Sequence, residues 1–213
     1  MMIRKWIAAA VLVAGTTGVA QAAIQTTFTS GLTTQVDGAT TYDFNTGAKP
    51  AGYAGDGWIL PSSVPGMSAA PAGDSTAFLS VAFPHAAGTE LFTAAPGQSY
   101  NYFGLYWGSI DDYNWLTFYN GSTVLGTFTG SDVIKAGTQL GDQTAAGSNR
   151  YVNFFLNDQS FDRIEFGTSN FAFESDNHSY ARVPVPEPGM LTLVVGALGA
   201  MFVMRRRRPS QAK

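Results

Sequence analysis

The chain has 213 residues, with no cysteine, 24 glycines, 13% aromatic residues and a formal net charge of -3. That charge hides an asymmetry: within 23–186, 14 acidic residues face only 5 basic ones, a net charge near -9. Such a surface disfavours nucleic acid, whose phosphates need clustered Lys and Arg. The absence of thiols excludes both a disulfide framework and a lipid-modified cysteine.

Arg4 and Lys5 precede an apolar run from Trp6 to Ala20, and Ala20-Gln21-Ala22 fits the small-x-small rule of signal peptidase. Residues 1–22 therefore read as a secretory signal peptide, with the mature chain starting at Ala23. Residues 23–183 have the size of one domain with a real core. Ile24 to Ser30 and Ala39 to Thr46 are strand-like, with Asp37-Gly38 as a turn between them. Residues 49–75 are rich in Gly, Pro, Ala and Ser and read as a long surface loop around one short strand, Trp58 to Leu60. Thr76 to Phe83 is nearly continuous apolar sequence and reads as a buried strand.

The centre is the most regular part. Strands are predicted at Tyr100 to Trp107, Trp115 to Tyr119 and Ser122 to Phe128, the last two joined by an Asn120-Gly121 type I′ turn. In the first, alternation puts Tyr100, Tyr102, Gly104 and Tyr106 on one face and Asn101, Phe103, Leu105 and Trp107 on the other. Arg150 to Leu156, Phe161 to Phe166, Phe171 to Glu174 and Tyr180 to Val183 complete the set. The spacing predicts an all-β, antiparallel two-sheet β-sandwich of jelly-roll or lectin-like form, without convincing helical periodicity between 23 and 185.

Catalytic machinery is hard to assemble. The two histidines, His85 and His178, sit in loop-like sequence, and no metalloprotease or G-x-S-x-G motif occurs. Asp111-Asp112, with Glu165 and Glu174 as partners, could serve a glycosidase, which needs two carboxyls across one cleft; the same residues also read as turn formers. The expectation is no enzyme. Calcium needs six to eight hard oxygen ligands. Asp43 and Asn45 near the start of the domain, with Glu174 and Asp176 near its end, could hold such an ion and staple the termini. Turn caps and edge-strand charges are the alternative use of those side chains. Tyr113 and Trp115, with Tyr53 and Trp58 of the Gly-rich loop, are candidates to stack on sugar rings.

Residues 184–213 form the last unit. Pro186-Glu187-Pro188 is succeeded by an apolar stretch, Gly189 to Met204, and then by Arg205, Arg206, Arg207 and Arg208. As a helix those 16 residues would span about 24 Å at ~1.5 Å each, and snorkelling arginines can cover the shortfall against a bilayer core. The arginines would mark the cytoplasmic end, leaving everything before them outside the inner membrane.

This tripartite tail resembles the PEP-CTERM sorting signal of Gram-negative bacteria. The resemblance implies recognition and cutting near Pro186, Glu187 and Pro188 by an exosortase, a membrane-embedded cysteine transpeptidase. The span 76–183, with FGLYWGSIDDYNWLTFYNGSTVLGTFTGSDV, NRYVNFFL and FDRIEFGTSNFAFESDN, also resembles the ectodomain of one set of exosortase-dependent surface proteins. That likeness implies a lectin-like sandwich and no established activity. The expected function is thus an exported, non-enzymatic protein. It would be held transiently in the inner membrane and then delivered to the cell surface or the exopolysaccharide matrix. A carbohydrate-binding module, or a polysaccharide hydrolase, are the alternatives.

Overall fold

The computed structural model describes residues 23–134 and 138–184. The cleavage residues Ala20 and Ala22, the sorting motif Pro186 to Pro188, the apolar stretch Gly189 to Met204 and Arg205 to Arg208 lie outside the described residues. Twelve strands form two sheets, and every pairing between named strands is antiparallel.

The larger sheet runs β1 (Gln25–Thr29), β10 (Arg150–Phe155), β7 (Tyr102–Gly108), β12 (Phe173–Ala181), β5 (Phe78–Val81), β4 (Gly57–Leu60), with β2 (Thr40–Tyr42) also beside β12. The smaller runs β3 (Tyr53–Gly55), β6 (Gly88–Thr93), β11 (Arg163–Thr168), β8 (Asn114–Asn120), β9 (Thr123–Thr129), and a single helical turn, α1 (Gly130–Val133), comes after β9. No helix among the described residues is long and apolar enough to cross a membrane.

Period-two alternation builds the core. Phe103, Leu105 and Trp107 of β7 and Val152 and Phe154 of β10 point inward from one sheet, meeting Leu116 and Phe118 of β8 and Ile164 and Phe166 of β11 from the other. Aromatic edges join the layers: Phe118 lies 5.2 Å from Phe154 and Phe103 lies 5.8 Å from Phe166, ring centre to ring centre. The opposite face of the larger sheet carries Tyr102, Tyr106, Tyr151, Asn153, Glu174, Asp176 and Ser179. These are buried polar and aromatic side chains covered by loops.

Three local readings change. The stretch after Glu174 is not a polar turn but the middle of β12, which passes β7 with a bulge between Asp176 and Ser179, where Asn177 takes φ 52. His178 is accordingly fully buried, with Nδ1 2.8 Å from the Tyr53 hydroxyl and Nε2 2.9 Å from Ser175 Oγ. The β8–β9 hairpin pairs Asn120 with Thr123, so its turn is Gly121-Ser122. Only Gly121 of these has positive φ, the glycine-first pattern of type II′ rather than type I′. Its amide donates to both carboxylate oxygens of Asp162. Tyr53, expected in a loop, lies in β3 and is packed among Phe44, Phe92 and His178.

Candidate functional site

The connection from β4 to β5 folds back over the outer face of the larger sheet. It is pinned there by side chains from three strands and a loop. Ser68 Oγ donates to Ser80 Oγ (2.8 Å), Ala69 N–H to Glu174 Oε1 (2.8 Å), and Thr76 Oγ1 to Asp176 Oδ2 (3.0 Å). Tyr106 donates to Ala72 O (2.6 Å), and Ala72 N–H donates to Asn149 Oδ1 (3.0 Å). Contact is closest at Gly108, where a Cβ would lie 2.8 Å from Pro71; only glycine allows that approach.

A cleft of about 450 Å³ opens between this connection and the ends of β7 and β12. Residues 63–69 form one wall; Ser109, Asp111, Tyr113, Phe171 and Glu174 are among the residues that face it. Strand pairing sets the convergence. Glu174 is the register partner of Gly108, so the start of β12 lies beside the turn that carries Ser109, Asp111 and Tyr113. Ser109 takes φ 35, and its amide donates to Asn149 Oδ1 at 2.9 Å. Ile110 N–H donates to Ser148 O. These bonds, with Gly141 N–H donating to Ile110 O, hold the turn against residues 138–149, and a Cβ at Gly141 would run into the Asp111 carboxyl.

The electrostatics derive from burial. Glu174 is almost fully buried, and loss of water pushes its carboxyl up to about 8, against the opposing pull of the Ala69 amide and the Ser109 hydroxyl. Ser109 Oγ is 3.1 Å from Oε2, so both carboxyl oxygens have protein partners. Burial raises Asp111 as well, with the Tyr113 hydroxyl opposing it. Tyr113 is raised by burial and then by Asp111, and its hydroxyl donates to Phe171 O at 2.6 Å. Near neutral pH the cleft therefore presents the protonated Glu174 carboxyl beside the Asp111 carboxyl, hydroxyls and backbone groups. Such groups can both donate to and accept from a hydroxyl ligand.

The predicted sugar-stacking residues divide among four places. Tyr113 lines the cleft. Trp58 stands on edge strand β4, 55% exposed, edge-on to Phe83 at 6.2 Å. Trp115 lies on the outer face of the smaller sheet, over Gly167, with Nε1 donating to Glu165 Oε1. Tyr53 is corrected to a core residue, because its hydroxyl is spent on His178 and its ring is buried.

Three of the predicted calcium ligands already serve as hydrogen-bond acceptors within the protein. Asp43 Oδ1 caps its own turn by accepting Asn45 N–H, and Glu174 serves the cleft wall. Asp176 accepts from Thr76 and from Asn177 N–H, and is pushed up to about 8 by burial and by the carboxyl of Asp74 beside it. Among the described residues no group of three or more His, Cys, Asp or Glu is arranged to hold a metal ion.

His85 is exposed in the β5–β6 loop, as its sequence suggested. Ser109 and the wall 63–69 escaped the sequence reading. The one local signal for the wall is the Pro65-Gly66 punctuation, and Ser109 carries none. Comparison with protein-family models, with curated proteins and with solved structures finds no match.

Proposed function

We propose that this chain is an exported surface or matrix protein whose lectin-like, jelly-roll ectodomain binds a neutral glycan segment in the cleft between residues 63–69 and the Asp111–Tyr113 turn. The observation that carries this reading is the joining of Tyr113, Phe171, Asp111, Ser109 and Glu174 in one polar cleft. Aromatic faces beside hydroxyl and carboxyl partners are the usual furniture of a sugar site. Export and sorting rest on the two targeting segments of the sequence. Signal peptidase would act at Ala22-Ala23, and an exosortase would act near Pro186-Glu187-Pro188 with Arg205 to Arg208 on the cytoplasmic side.

Hydrolysis is the second reading, because Asp111 and Glu174 supply two carboxyls to one cleft. Binding is preferred on geometry, since both oxygens of Glu174 are already engaged by Ala69 and Ser109. Affinity electrophoresis in a panel of bacterial and plant glycans tests the binding role. Retardation by at least one glycan, lost in Tyr113→Ala, is expected; unchanged mobility in all of them would sink it. Release of reducing ends from a retarding glycan, abolished in Asp111→Asn, would move the assignment to a hydrolase.

A further inference from the structure

A second cavity, of about 460 Å³, lies on the far side of Asn149, between β1 and the start of β10. Phe28, residues 29–32, Tyr106, Asn149 and Arg150 line it. Asn149 separates the two cavities, since it lines this one and accepts from the amide of Ser109, which lines the other. Arg150 lies over the Phe28 ring, with its guanidinium carbon 4.5 Å from the centroid.

Among the described residues this arginine has no ion-pair partner. The domain holds many more acids than bases, yet the ion pair among the described residues joins Lys49 to Glu90, and no carboxylate lies within 4.0 Å of Arg150. Its Nε is buried without an acceptor, and Nη2 reaches Ala146 O only at 3.5 Å. That length is weak for a hydrogen bond. Arg163 stacks in the same way on Tyr119, 4.1 Å from its centroid, but it shares its cavity with Asp162. Arg150 has a cavity, an aromatic support and an unpartnered Nε, and among the described residues no acid pairs with it.

We propose that this cavity is a subsite for a carboxylated pyranose, a uronate unit of a polysaccharide. The planar guanidinium presents paired donors that match a carboxylate edge-on. Phe28, 41% exposed, offers apolar surface for the sugar ring. Tyr106, its hydroxyl fixed on Ala72 O, gives a rigid wall. The proposal stands apart from the reading of the first cleft, because neither Tyr113 nor Glu174 takes part.

The test is calorimetric titration of the purified full chain with trimers of galacturonate, glucuronate and mannuronate, each beside its methyl ester, which keeps the ring and removes the charge. At least one acid trimer is expected to bind about tenfold more tightly than its ester, the scale of a charge-assisted hydrogen bond. Arg150→Gln should erase that preference, Arg150→Lys should keep part of it, and Phe28→Ala should weaken acid and ester together. Tyr113→Ala should leave the preference intact, which separates this subsite from the first cleft. Equal binding of acid and ester for all three sugars, or no binding of any, overturns the proposal. So does a preference that survives in a folded Arg150→Gln chain, checked by an unchanged melting curve.

Discussion

Replacing Glu174 by Gln should change the pH dependence of stability more than stability itself. The amide is nearly isosteric with the protonated carboxyl, can still accept from Ala69 N–H, and can donate to Ser109 Oγ. In the folded chain Glu174 keeps its proton up to about 8, against an ordinary value of 4.5. A raised acid stabilises the fold fully below the unfolded value. That contribution is lost as pH climbs from 4.5 towards 8, because the unfolded chain releases the proton first. At ~1.4 kcal/mol per pH unit the loss is of order 5 kcal/mol, an upper figure because relaxation of the site reduces it. Urea unfolding of the wild type and Glu174→Gln, from about pH 4.5 to about pH 9, reads the difference directly. The two curves should agree within ~1 kcal/mol at the acid end and diverge as pH rises, the variant becoming the more stable. Parallel curves over the whole window would refute the assignment of a buried, protonated Glu174.

His178 gives the opposite slope. Burial pushes its imidazole down to about 3 from 6.5, so its contribution is present above 6.5 and lost as pH falls towards 3. Its ring resonances should stay fixed through the neutral range in NMR, and a titration near the ordinary value would place it outside the core. Phe118→Ala, at a fully buried ring touching Phe103, Phe154 and Phe161, should cost about 3–5 kcal/mol in denaturant unfolding. Gly104→Ala puts a methyl 2.6 Å from Tyr151 Cε1 and should cost ~1–3 kcal/mol, since the ring is locked between neighbours. Added calcium should leave the melting temperature unchanged, because Glu174 and Asp176 already have protein partners. A rise of several degrees would restore the ion as a staple.

The fold was legible where large apolar side chains alternate. In β7, Phe103, Leu105 and Trp107 announced the inward face, and the polar face is its complement. Strand β12 was misread because its middle, Ser175 to Ser179, is entirely polar, yet all of it but Asn177 is buried. Those side chains are satisfied from remote segments: Thr41 and Tyr151 reach Ser179, Tyr53 reaches His178, and Thr76 reaches Asp176. No local pattern encodes such partners. Strand β6 was missed for a related reason. Its buried Glu90 is matched by Lys49 and the Gly57 amide, far along the chain.

The candidate cleft was half legible. Asp111 and Glu174 were singled out as a possible carboxyl pair and Tyr113 as a sugar-stacking ring, but Glu174 was also offered to calcium and Asp111 to a turn. Their meeting depends on β12 lying beside β7, which no spacing in the sequence reveals.

Intact-mass analysis of the protein recovered from its own host tests the account most directly. The expected species begins at Ala23 and ends near Glu187, stripped of leader and arginine tail. A species that keeps residues 1–22, or retains Arg205 to Arg208, would contradict export and sorting and leave the cleft without its extracellular setting.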